Sequence, residues 1–247
     1  KSVTVLGTWD DHDYGANDGG KDFHKKKESQ QLFLDFIGVS KNDSRRNRAG
    51  VYHSQLFKTE KGSVKIIILD TRYFRSSLTK SETNGKRYQP NTYGEGTVLG
   101  KTQWAWLTDQ LKTSTADFNI IVSSIQLLSY QHGFESWGNF PHEVDRLKKL
   151  IQTSKAKRVL VLSGDRHISE FSTTKVDGLT YPLIDFTSSG LTHSYDSFKG
   201  EINPNRHGKV VSEVSFGLLK FDFKNKKVTL QMRGVENKLQ QEYIQTY

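Results

Sequence analysis

The chain has 247 residues, 34% of them hydrophobic, with no cysteine and a formal net charge of +9. That length and apolar content suit one domain with a sizeable core and exclude a disordered or collagen-like chain, while the absent cysteines exclude disulfides and thiolate ligands. No apolar run reaches the ~18 residues of a membrane span, and the basic balance favours anionic partners but lacks the interleaved aromatics of a single-strand binding groove.

In chain order, residues 3–6 read as a short buried strand. The loop at 7–20 follows, crowding Asp10, Asp11, His12, Asp13 and Asp18 together. Adjacent carboxylates repel unless a cation offsets their charge, so this loop is a candidate metal site; a solvated acidic loop is the alternative. EF-hand spacing is excluded, because with Asp10 first Tyr14 and Lys21 fall where carboxylates are required. Residues 21–37 show helical spacing, with Leu32, Phe33, Phe36 and Ile37 as the apolar face and Gly38 as the stop. Strands are expected at 52–59 and 63–70, turning at Lys61 and Gly62, the second apolar enough to be central. Residues 73–100 have no period and form a long polar loop of the kind that serves as a lid or binding loop.

A helix at 101–114 turns Trp104, Leu107 and Leu111 inward. The strand at 118–125 ends at Gln126, and a loop carrying His132, Trp137 and Asn139 leads to a helix at 141–153 opened by Pro141. Residues 158–163 form another apolar strand, running into Gly164, Asp165, Arg166 and His167. Strands at 171–177 and 181–187 and a final hairpin of 213–223 with 226–233 complete the pattern. Alternating strands and helices followed by antiparallel strands define one α/β domain with a mixed sheet or two packed sheets.

Four apolar strands therefore end in polar groups: Asp10, Asp11 and His12; Asp70 and Arg72; Gln126; Asp165 and His167. The crevice outside the carboxyl ends of the strands is the usual ligand site of such folds. Asp165 and His167 are two apart, so in an extended segment both point to one side. Oxygen and nitrogen donors without sulfur suit calcium, iron, manganese, zinc or magnesium. A pair of such ions can clamp a phosphate, generate a hydroxide nucleophile and stabilise the leaving oxygen. A serine-nucleophile elbow, a Walker loop and a Rossmann fingerprint are all absent from the sequence.

The segments Thr8-Trp9-Asp10-Asp11-His12-Asp13, Leu69-Asp70-Thr71-Arg72, Gln103-Trp104-Ala105-Trp106-Leu107 and Ser163-Gly164-Asp165-Arg166-His167 together resemble the PhoD-like alkaline phosphatases, a branch of the calcineurin-like metallophosphatases. The resemblance runs in order over nearly the whole chain. It implies one domain over residues 1–247, built as a two-sheet α/β/β/α sandwich with a dinuclear metal site. It also implies ester hydrolysis by a metal-bound hydroxide on a small or polymeric phosphoester, in an exported enzyme, periplasmic or extracellular. By the same resemblance Asp11, Asp165 and His167 are metal ligands, and Gln126 stands where the family's fourth motif places one. His12 protonates the leaving oxygen or stabilises the phosphoryl group, with Asp13 orienting its imidazole. Asp10 either ligates metal or holds the loop by accepting backbone hydrogens. Asn17 and Arg72 are candidate substrate contacts, Arg72 equally a structural ion pair; Trp137 lines the mouth or packs in the core.

The superfamily's first two motifs, which would precede residue 8 and supply the bridging ligand, have no counterpart in the sequence. The expectation is a fold lacking its N-terminal strands, with a missing segment or a second chain completing the metal site. A non-catalytic phosphate- or polyanion-binding module on the same fold is the rival reading. A carboxylic ester hydrolase using His12 is a third.

Overall fold

The computed structural model describes residues 3–247. The single-turn helix α1 (Asp11–Tyr14) precedes α2 (Lys26–Phe36), and the hairpin of β1 (His53–Thr59) and β2 (Gly62–Ile68) follows. A two-stranded ribbon, β3 (Thr79–Lys80) with β4 (Tyr88–Gln89), interrupts the long loop before α3 (Gly100–Lys112) and β5 (Phe118–Val122). Then come α4 (Pro141–Thr153), β6 (Val159–Ser163), β7 (Ser169–Thr174), β8 (Leu183–Ser188) and β9 (Arg206–Val211). The chain closes with β10 (Phe216–Asp222), β11 (Lys227–Arg233) and β12 (Leu239–Thr246).

The main sheet has seven strands in the order β1-β2-β5-β6-β8-β7-β9, and β10-β11-β12 form a second sheet. Strands β2, β5, β6 and β8 run parallel, and β1, β7 and β9 pair antiparallel around them. Helices α3 and α4 are the crossovers between β2 and β5 and between β5 and β6, as parallel neighbours require. Side chains alternate faces along each strand. Ile121, Val159 and Val161 pack under Trp104, Leu107, Leu111, Val144, Leu147 and Ile151 of the two helices. Phe118, Ile120, Leu160, Ile184 and Phe186 face Val228, Leu230 and Met232 of the second sheet. The layers thus stack helix, sheet, sheet, three of the four layers of the expected sandwich. Each large apolar side chain buried there contributes about 1.5–3 kcal/mol.

The structure corrects several expectations. Residues 3–6 form no strand, and Val3 and Val5 are exposed, because no described strand lies beside them to pair with. In α2, Leu32 and Phe36 point to solvent while Gln30 and Leu34 are buried. Gln30 turns the helix: its amide donates to the carbonyls of Arg45 and Arg48 and accepts from Gly50 N–H. Three buried hydrogen bonds outweigh the solvation of two apolar side chains left outside. Strands β9 and β12 carry no strong sequence signal. Their residues are mostly half-buried or exposed, and pairing with β7 and β11 rather than hydrophobicity makes them strands.

Candidate metal centre and its cleft

The site is assembled at the carboxyl ends of the parallel strands, and its base is held by Asp70. That residue, fully buried, follows β2 by two positions. Its Oδ1 accepts from Trp9 Nε1 at 2.9 Å, Arg72 N at 3.0 Å and Tyr73 N at 2.9 Å, and its Oδ2 accepts from Val51 N at 2.9 Å. Gln103 of α3 closes the same junction, accepting from Asp70 N and donating to Asp70 O at 2.8 Å each. Trp9 also packs with Tyr14, Leu34, Val51 and Tyr73. A fully satisfied buried network of this kind fixes one geometry, and here it fixes the start of the acidic loop.

Beyond Trp9 the loop enters α1, and Asp10, Asp11 and Asp165 converge: one oxygen from each lies within 4.8 Å of the others. Asp11 is held by backbone donors, from His12 N at 2.7 Å and Asp18 N at 3.0 Å. Asp165 sits in the bend after β6 with φ +71°. Burial, with the charges of Asp10 and Glu135 beside it, pushes its carboxyl well above the usual carboxylate range. The compensating cation is Arg72, fully buried and ion-paired with Asp10 and Glu135, and Arg75 reaches the other oxygen of Glu135 at 2.6 Å. Arg72 is one positive charge among four carboxylates, and Arg75 spends itself on Glu135. The three converging carboxylates therefore form an all-oxygen donor set carrying excess negative charge, which fits a hard cation.

Around this cluster a cleft of about 680 Å³ is lined by Asp10, Asp11, His12, Asp13, Asn17, Asp18, Asp165 and His167. Arg87, Phe134, Glu135, Arg166, Ser189 and Thr192 complete it. His12 is exposed, its Nε2 3.9 Å from Asp11 Oδ2. Asp13 does not reach the imidazole; its Oδ2 accepts from Asp10 N at 3.3 Å, because neighbours on a helical turn do not face each other. Asn17 lies at the exposed rim and donates to Asp18 at 2.8 Å. His167 is exposed, its ring edge-on to His193 at 4.9 Å, and it has φ +54° like a turn residue. The Gly164–His167 stretch is thus a tight bend rather than an extended segment, and Asp165 reaches the cluster by that turn.

Three proposed residues lie elsewhere. Gln126 is buried, donating to Glu170 Oε1 at 2.9 Å and Thr187 Oγ1 at 2.8 Å, and does not line the cleft. Strand β5 ends at Val122, so the chain has already folded beneath the cleft before Gln126. Trp137 is fully buried, edge-on to Trp104, with Nε1 donating to Ser123 Oγ at 3.0 Å. Arg72, buried under the cluster, braces Asp10 rather than reaching the cleft. What the sequence did not single out is Glu135, Arg75, Arg87, Phe134 and Arg166. Only the long unpatterned loop at 73–100 hinted at Arg87, and nothing in the local pattern marks Glu135.

The family model of the PhoD-like phosphatases matches residues 1–232. Alkaline phosphatase D of Bacillus subtilis (strain 168) is 26% identical over 198 residues, covering 69% of this chain and 32% of that protein. A solved structure of PhoD superposes with a TM-score of 0.70 at 20% identity, covering 97% of this chain and 51% of that one. The layered fold is the one that solved structure shows. The chain is a member of the PhoD-like phosphatase family, and it spans about a third of the length of its curated relative and half that of the solved one.

Proposed function

We propose that the cleft hydrolyses phosphoric esters with bound metal ions, Asp10, Asp11 and Asp165 forming part of their ligand shell. The observation that carries this is the convergence of those three carboxylates, within 4.8 Å of one another, in a member of a phosphatase family. Bound cations supply Lewis-acid charge for the phosphoryl oxygens and lower the pKa of water. The chain's own contribution is positional. Arg72 commits Asp10 Oδ1 through an ion pair, which leaves Oδ2 for a cation. Backbone donors hold Asp11, and the Asp165 bend delivers the third carboxylate. His12, exposed at the mouth, is placed to hand a proton to a leaving oxygen.

Three carboxylates are too few for two ions, so we read the remaining ligands as coming from His167 at the rim and from a segment or second chain outside these residues. The donor chemistry admits calcium, iron, manganese, zinc or magnesium. Among the described residues no helix is long and apolar enough to cross a membrane, and the family membership supports an exported setting.

Metal content by elemental analysis, followed by turnover of 4-nitrophenyl and bis(4-nitrophenyl) phosphate with and without chelator, tests this reading. Bound metal with chelator-sensitive turnover supports it, and the ratio of the two rates separates monoesterase from diesterase. Salt-dependent polyanion binding with no turnover at any added metal would instead favour the non-catalytic module.

A further inference from the structure

The cleft also carries a basic and aromatic group of side chains to which the proposed hydrolysis assigns no role. Phe134 projects there, half-buried, with the guanidinium of Arg166 at 4.1 Å from its ring centroid and that of Arg87 at 5.9 Å. The two arginines come from distant parts of the chain, Arg87 from the β3–β4 ribbon region and Arg166 from the bend after β6. Each is steadied by one carboxylate. Arg87 Nη1 donates to Asp18 Oδ2 at 2.7 Å, and Tyr88 Oη donates to the same oxygen at 2.8 Å; Arg166 Nη2 donates to Glu201 Oε1 at 2.6 Å. A guanidinium has five donors in a fixed fork. Arg166 Nε is buried with no partner among the described residues, and the Arg87 side chain is 51% exposed. Both guanidinium groups line the cleft with donors to spare, beside the hydroxyls of Ser189 and Thr192.

We propose that Arg87, Phe134 and Arg166 form a second anion subsite, which takes a phosphate of the substrate other than the one held at the carboxylates. The proposal rests on the phosphoester reading and narrows it to substrates bearing two phosphates on a short linker. The cleft, at 680 Å³, is of the size that encloses a drug-sized ligand and has room beyond a single phosphate. Planar forks pre-set by carboxylates are suited to bidentate phosphate recognition, and little side-chain entropy remains to be lost on binding. The Phe134 ring lies near both guanidinium groups and gathers them into one cationic patch.

Calorimetric binding, not turnover, is the test, with excess calcium or manganese present. The probes are propyl phosphate and 1,3-propanediol bisphosphate, with thymidine 3′,5′-bisphosphate as the nucleotide counterpart. The wild type should bind each bisphosphate about tenfold or more tightly than the monophosphate, as one charge-assisted contact implies. Arg87→Gln, at a half-exposed position that leaves the fold intact, should bring the ratio near one without changing metal uptake or propyl phosphate affinity. Equal affinities in the wild type, or a ratio untouched by Arg87→Gln, would overturn the proposal. A wild type that takes up no metal sinks the hydrolase reading alone. In chelator propyl phosphate then probes the arginines alone, and an affinity weakened by Arg87→Gln upholds the subsite while one left unchanged rejects it.

Discussion

Two clusters of buried charge lie close together at the strand ends and are built on opposite principles. At Asp70 every oxygen is answered by a donor: one indole, three backbone N–H groups, and a glutamine clasp on its own backbone. At Asp10, Asp11 and Asp165, negative charge exceeds what Arg72 offsets, and Asp165 resists ionisation. The first cluster is complete as protein. On the proposed reading the second is completed by a bound cation. That contrast separates residues that hold the site from residues that act in it, although both sets occur in the same conspicuous motifs.

The largest expected effect follows from breaking the complete cluster. Asp70→Ala leaves four buried donors without an acceptor, each costing about 1–3 kcal/mol. We expect a loss of about 4 kcal/mol or more, read as a fall in the urea midpoint, and metal binding lost along with the loop that Trp9 anchors. A variant as stable as the parent would show that the acidic loop is held by packing rather than by Asp70.

A smaller effect concerns the loop that carries Glu135. His132, buried beneath it, accepts from Phe134 N at 3.0 Å through Nδ1, and its Nε2 lies 3.1 Å from Ser129 O, so the ring is neutral and both nitrogens are used. Burial, with the charge of Arg166 nearby, pushes its pKa down to about 3. The folded state therefore binds fewer protons than the unfolded one, whose histidine titrates near 6.5. Stability is fully present above about 6.5 and is lost as pH falls below it, by about 2 kcal/mol at pH 5. His132→Gln should flatten the dependence of the melting temperature on pH between 5 and 7. An unchanged slope would assign acid sensitivity to other groups.

The same contrast explains what the sequence made legible. Periodicity revealed the elements whose burial is one-sided: α4 at Pro141–Thr153 and the apolar strands β2, β5 and β6. It misread α2, where one buried glutamine overrode the apolar stripe, and it missed β12, whose partners rather than its residues make it a strand. Asp10, Asp11 and Asp165 were legible because like charges crowded at strand ends demand an explanation. Gln126 was misplaced because sequence distance from a strand end does not say which way a loop folds, and Trp137 took the core alternative. Glu135 and Arg166 were invisible for the converse reason: each is an ordinary charge whose importance lies in a partner far along the chain, Arg72 for one and Phe134 with Glu201 for the other.

The smallest expected shift is also the most discriminating, because its sign differs from the others. In the absence of metal, burial and two neighbouring carboxylates oppose a charge on Asp165. Its folded-state pKa is raised, so its contribution to stability is present at low pH and is lost as pH rises through that value. Asp165→Asn removes the repulsion and keeps the shape. In chelator at pH 7 the variant should therefore be more stable than the parent, by about 1 kcal/mol, where most buried substitutions destabilise. With calcium or manganese added the order should reverse, since the parent gains stability from binding and the variant, lacking one ligand, gains less. Melting temperatures of both proteins in chelator and in metal provide the four values required. A variant less stable in both conditions would mean that Asp165, like Asp70, is a structural carboxylate, and the cleft would lose the residue that distinguishes it from the base beneath.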